Sequence, residues 1–228
     1  MLRQDIRSQS MNWVIDSLEP SDAPSVWVVD LDCLTSLPVS TMEEREQAEF
    51  YSETLWAHRF LVRRAAIRKV SADLSGVPAG DIRVERGPTG ALKYVPPIPG
   101  LNASMSHRGP YAAMAFGSAP IGVDLESTGD FVQIPWNVLH PAEVKALEAL
   151  DDDQRTLGFL RLWTVKEAYV KALGFGLSRE PASFAALERE GSIMIDDPLT
   201  VDRPPIISTR MISSLGPQDI VVSCVTFR

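Results

Sequence analysis

The stretch IGVDLE, Ile121 to Glu126, alternates with a period of two. A strand sends positions i and i+2 to the same side. Gly122, Asp124 and Glu126 therefore share one face, and Ile121, Val123 and Leu125 share the other. Two carboxylates beside a bare glycine repel each other and pack poorly. One reading is a solvated strand end or a cap. The other is a site in which a cation offsets the repulsion.

The second informative stretch lies downstream. FLRLWTVKEAYVKALG, Phe159 to Gly174, reads as the end of a long helix. Trp163, Glu167 and Lys171 fall at i, i+4 and i+8, on one stripe. Leu160 and Val170 flank it, so the helix is apolar nearly all round, as buried helices are. An exposed Glu–Lys pair at this spacing contributes about 0.3–0.5 kcal/mol and needs no function. Placed in a partly buried position beside Asp124 and Glu126, it reads differently. Three carboxylates near apolar residues raise one another's pKa unless a cation is present. Magnesium is the natural one: it takes oxygen ligands and binds a few carboxylates together with substrate phosphates. Lys171 would neutralise a phosphate beside the metal.

Two further stretches fit an anionic ligand. SMSH, Ser104 to His107, offers a hydroxyl, an imidazole and open backbone to phosphate oxygens. Its other reading is a structural histidine in a loop. AHRFLVRRAAIRK carries Arg59, Arg63, Arg64, Arg68 and Lys69. Like charges at i, i+4 destabilise a helix slightly. The run is either a solvated basic face or a local patch that receives an anion.

The rest of the chain supplies the frame. Ser25–Leu34 is valine-rich and reads as a strand. Helical pattern runs from Thr41 to about Ser75 as one long element, with Gly76 as terminator. A short strand, a turn at Gly87–Gly90 and a proline-rich piece follow. Then come a polar loop and a strand over Tyr111–Phe116. After Pro120 the plan repeats: strand, a helix with Pro141 in its first turn, the long helix ending at Gly174, and strands at IMI and DIVVSCVTF. This predicts an α+β protein of two similar halves, residues 1–118 and 119–228.

The totals bound the function. The 228 residues are 45% apolar and 23% charged, enough for a sizeable core. A formal charge of -8 argues against general affinity for nucleic acid or anionic membrane. Cys33 and Cys224 form neither a disulfide framework nor a zinc pattern, which points to a reducing cytoplasm. No leader peptide and no membrane span is expected.

Taken together, IGVDLE, WTVKEAYVKALGFGL and SMSHRGPYAAMAF resemble the three signature regions of 4'-phosphopantetheinyl transferases of the surfactin-synthetase-activating type. The order and spacing agree, from about Ser40 to Phe184. The resemblance implies a monomer of two pseudo-symmetric halves, each with a small antiparallel sheet and a long packed helix, with coenzyme A bound between them. It implies transfer of the phosphopantetheine arm to a serine of an acyl or peptidyl carrier protein, releasing adenosine 3',5'-bisphosphate. By position, Asp124, Glu126 and Glu167 match the ligands of Mg2+, for which Mn2+ can substitute. Lys171 matches the lysine on the pyrophosphate, and Lys166 the lysine preceding the metal-binding glutamate. Ser106 and His107 match the phosphate-holding loop. Arg59 and Arg64 fall where the family places basic residues near the 3'-phosphate. Glu167 and Lys171 are the expected catalytic pair.

The chain also departs from the family pattern. Many members have Gly-Lys-Pro before the Ser-His loop; here Gly90 is kept, but Ala91 and Leu92 follow, with Lys93 next. Two rivals share the same residues: a metal-dependent phosphodiesterase or pyrophosphatase, and a non-catalytic coenzyme A-binding module. Carrier proteins are often acidic, so docking on this acidic chain would need local apolar or basic surface. GFGLSREPASF is one candidate surface, or else simply a helix-ending loop.

Overall fold

The computed structural model describes residues 10–14, 23–33, 40–129, 133–213, 215 and 218–227. Leu34, the expected end of the first strand, lies outside them. Two antiparallel sheets form the frame. The first runs in the order β1-β2-β6-β5, built from Ser10–Val14 (β1), Ser25–Asp30 (β2), Asn102–Arg108 (β5) and Tyr111–Gly117 (β6). The second runs β10-β11-β7, from Ile206–Ile212 (β10), Ile220–Thr226 (β11) and Ile121–Ser127 (β7). Four α-helices are described: α1 over Met42–Ala48, α2 over Thr54–Ser75, α3 over Pro141–Glu148 and α4 over Asp152–Leu173. Two hairpins complete it: β3 (Val84–Arg86) with β4 (Leu92–Tyr94), and β8 (Ala185–Arg189) with β9 (Ser192–Asp196).

The element order repeats. From β2 the chain runs strand, two helices, hairpin, two strands; from β7 it does so again. In space β6 lies between β2 and β5, as β11 lies between β7 and β10. Both long helices have 22 residues, and both end on a left-handed glycine, Gly76 at φ 76 and Gly174 at φ 78.

Strand alternation sets the layers. Val29, Ala112, Met114 and Phe116 pack on Val62, Ala66, Ile67 and Val70 of α2. The opposite face of the same sheet, with Val26, Val28, Ala113 and Ala115, packs on Ile121, Val123, Leu125 and Val222 of the second sheet. Behind that sheet, Val221 and Val225 meet α4 through Phe159, Val165, Ala168 and Ala172. The result is helix, sheet, sheet, helix.

Each short helix is locked to its long partner by a buried glutamate. Glu44 caps α1 by accepting from Thr41 N at 3.0 Å. It is 4% exposed and pairs with Arg64 Nε at 3.2 Å and Arg68 Nη2 at 3.1 Å. Glu143 caps α3 by accepting from His140 N at 2.8 Å, also accepts from Ala186 N at 2.7 Å, and pairs with Lys166. The step from Thr54 to Arg68 and that from Asp152 to Lys166 are both 14 residues, so the two cations occupy equivalent places. One carboxylate between Arg64 and Arg68 removes the repulsion their spacing would cause.

The structure corrects three expectations. The helical run from Thr41 is broken between Ala48 and Thr54, because α1 turns to set Glu44 against α2. Asn102–Arg108 is a strand rather than a polar loop; its Ser104, Ser106 and His107 line the cavity described below. Strands β1, β4, β8 and β10 are absent from the sequence reading: β8 and β10 mix apolar and charged residues without clean alternation.

Candidate active site

The close approach of α4 to β7 makes the site. A side chain at Gly122 would place its Cβ 1.8 Å from Ala168 O and 2.7 Å from Ala172 N. Only glycine lets the helix lie this near the strand. That contact brings Lys171 onto the carboxylate face of IGVDLE. Lys171 Nζ donates to Asp124 Oδ1 at 2.6 Å and to Val123 O at 3.1 Å. Ser106 Oγ donates to the same Asp124 oxygen at 2.7 Å. Asp124 is 5% exposed, and its Oδ2 has no hydrogen-bond partner among the described residues.

Glu167 lies one turn before Lys171. Burial raises its carboxyl above the ordinary range, and the charge of Asp124 raises it further, against the opposing pull of Lys171. The two carboxylates thus feel each other across the strand–helix contact. Glu126, the next residue on that face, pairs with Arg108 Nε at 3.3 Å.

A cavity of about 300 Å³ opens in front of this group. Arg86 and Gly90 from the β3–β4 turn, Ser106 and His107 from β5, and Glu167 and Lys171 from α4 line it. Both halves therefore contribute walls. The His107 imidazole is pushed down to about 4, first by loss of hydration, then by the charges of Arg63, Arg86 and Lys171. Its ring is nonetheless exposed at the wall. The imidazole thus lies within the field of three cations.

Gly90, Ser106, His107, Asp124, Glu167 and Lys171 are brought together. Glu126 stands beside them on its arginine. Three residues are placed elsewhere. Arg59 makes a two-pronged pair with Asp32, at 2.8 and 2.6 Å. Arg64 is spent on Glu44 and Val84 O. Lys166, 1% exposed, is held by Glu143 and by Phe184 O at 2.7 Å, on a side of α4 away from the cavity. Lys93 lies along Gly87 and borders an adjoining groove rather than this cavity.

Besides Lys171, the cation lining the cavity is Arg86, and Arg63 adds charge near His107. Sequence reasoning names Arg63 only as one member of the basic run and does not name Arg86. Alternation was the available signal for Arg86, which shares a strand face with buried Val84.

Among the described residues no three of His, Cys, Asp and Glu stand close enough to hold a metal as they are. The chemistry of the donors still suits a hard cation. Asp124 has a spare buried oxygen, Glu167 is coupled to it, and magnesium usually takes one or two carboxylates with the remainder from phosphate and water.

A family model described as the 4'-phosphopantetheinyl transferase superfamily matches residues 120–203. The chain is similar to the 4'-phosphopantetheinyl transferase Sfp of Bacillus subtilis (strain 168), 32% identical over 158 residues, 68% of this chain and 70% of that one. It is also similar to the 4'-phosphopantetheinyl transferase gsp of Aneurinibacillus migulanus, 24% identical over 187 residues, 78% and 77% of the two chains. A third relative is the L-aminoadipate-semialdehyde dehydrogenase-phosphopantetheinyl transferase of Mus musculus, 29% identical over 60% of this chain and 49% of that one. The chain belongs to the 4'-phosphopantetheinyl transferase superfamily. None of its described helices is long and apolar enough to cross a membrane.

Proposed function

We propose that this protein transfers the 4'-phosphopantetheine arm of coenzyme A to a serine hydroxyl of an apo carrier protein, releasing adenosine 3',5'-bisphosphate. The observation that carries this reading is the meeting of Asp124 with Ser106 and Lys171, beside Glu167, behind the wall of a cavity lined by Arg86 and Lys171. Arg86, Ser106 and His107 bind phosphate oxygens there, with Arg63 adding charge behind His107.

The reaction joins the serine oxygen to the β-phosphorus and breaks the bond to the bridging oxygen, which leaves with the bisphosphate. Asp124 and Glu167 would hold Mg2+, or Mn2+ in its place, with Glu126 once it exchanges Arg108 for the metal. The ion would offset charge on the diphosphate and on the leaving group. Lys171 orients the diphosphate, and its hold on Asp124 passes to the phosphate when substrate enters. Glu167, within the same group, would accept the serine proton. Little covalent chemistry is asked of the chain, so positioning and charge dominate. Both walls of the cavity come from one chain, in keeping with a monomer. Two free cysteines, Cys33 and Cys224, are in keeping with a reducing cytoplasm.

The test is mass spectrometry of an apo carrier protein after incubation with coenzyme A, Mg2+ and the enzyme. A gain equal to the arm, with bisphosphate released in equal amount, is expected. Release of bisphosphate from coenzyme A without any carrier would replace this reading with a hydrolase.

The state of His107 gives a pH signature. Its pKa is about 4 in the free protein. A bound phosphate raises that value, so the complex takes up a proton. Coenzyme A affinity should strengthen as pH falls from the bound-state pKa toward about 4. Calorimetry in buffers of different ionisation enthalpy reads the uptake. His107→Gln should lose it while keeping whatever the ligand's own phosphate contributes. An identical uptake in that variant would clear His107 of the role.

A further inference from the structure

The loop after α4 is fixed more firmly than its surface position requires. Gly174 and Gly176 line the cavity opposite the β3–β4 turn. Gly176 sits at φ 56, and a Cβ there would fall 2.2 Å from Thr89 O. A loop of one half thus touches the turn of the other, backbone to backbone, along the cavity wall. Beneath it, Arg179 Nη2 pairs with Asp197 Oδ2 at 2.5 Å. Tyr169 OH donates to the same oxygen at 2.6 Å, and Leu199 N donates to Asp197 Oδ1 at 2.9 Å. The Arg179 guanidinium lies 4.8 Å from the Phe184 ring and 6.0 Å from that of Phe175. Asp197 is 3% exposed and Tyr169 0%. Neither they nor Arg179 lines the cavity.

A buried ion pair of this kind adds little net stability, because desolvation offsets attraction. What it does supply is a fixed geometry. We propose that Arg179, Asp197 and Tyr169 are positioning residues for coenzyme A. They hold the loop from Gly174 to Arg179 against Thr89, so the cavity wall is closed before substrate arrives. This assignment rests on the coenzyme A reading above. It also gives GFGLSR a role at the substrate cavity instead of at a carrier-docking surface.

The test compares Asp197→Asn, Arg179→Lys and Gly176→Ala with the wild type. The first two loosen the anchor; the third leaves the anchor intact and forces the loop off Thr89. Direct binding of coenzyme A by calorimetry and KM for coenzyme A should both weaken by about tenfold in all three. KM for the carrier and kcat should stay within about twofold. A role confined to stability would lower Tm and leave coenzyme A affinity untouched in the folded fraction, which overturns the assignment. Should Asp197→Asn fail to fold, Gly176→Ala and Arg179→Lys decide. Wild-type protein that neither binds coenzyme A nor modifies a carrier overturns the reading and this inference together. Wild-type activity with unchanged variants overturns the inference alone.

Discussion

Asp124→Asn should cut transfer by about 10²–10³-fold, the range found when a preorganised electrostatic group is removed. The variant keeps the shape of the side chain and can still bond Ser106. It loses the charge that holds Lys171 at 2.6 Å and the spare oxygen offered to a metal. The fold should survive, because the strand register and the Gly122 contact do not depend on that charge. Three measurements check this: kcat/KM for carrier modification, thermal unfolding, and Mn2+ binding by electron paramagnetic resonance. A folded variant with full activity and unchanged Mn2+ affinity would remove Asp124 from the site.

The second large effect concerns stability. Glu143→Gln leaves the Lys166 ammonium inside the protein without its counter-charge, and Lys166→Met leaves Glu143 in the same position. Each should destabilise the fold by about 3–5 kcal/mol, as broken buried pairs do. For a chain of this length that lowers Tm on the order of 10 °C. The double variant should recover a good part of the loss, since neither charge then remains buried. Differential scanning calorimetry of the three proteins is the check. If Lys166→Met left Tm unchanged and instead raised KM for coenzyme A, Lys166 would belong to the substrate site, as its place in the signature helix implies.

What was legible in the sequence, and what was not, follows from the reach of each signal. Periodicity of two put Asp124 and Glu126 on one face, and i, i+4 spacing put Glu167 above Lys171. Both are local rules, and both hold. The meeting of the two faces required Gly122, whose meaning as a contact surface only the tertiary structure displays. Arginines are harder. Arg59, Arg63, Arg64 and Arg68 all lie on one helix, and their long side chains take whichever partner the fold presents. Arg64 and Arg68 are claimed by Glu44 and Arg59 by Asp32, while Arg63, bonded to Tyr51, acts on His107 only through its charge. No pattern in α2 announces that division. Strand β5 reads as a loop in the sequence because only Ala103 and Met105 pack on the core, between polar Ser104, Ser106 and His107.

The contact between the two sheets has a consequence for how the chain holds together. The inner face of each sheet is finished only by the other, so a cut at residue 118 would leave two pieces with one bare wall apiece. Neither piece carries a private interior on that side. The width of the cavity is therefore a property of the seam: anything that loosens the seam, however remote from Asp124, alters the distance between the cavity's walls.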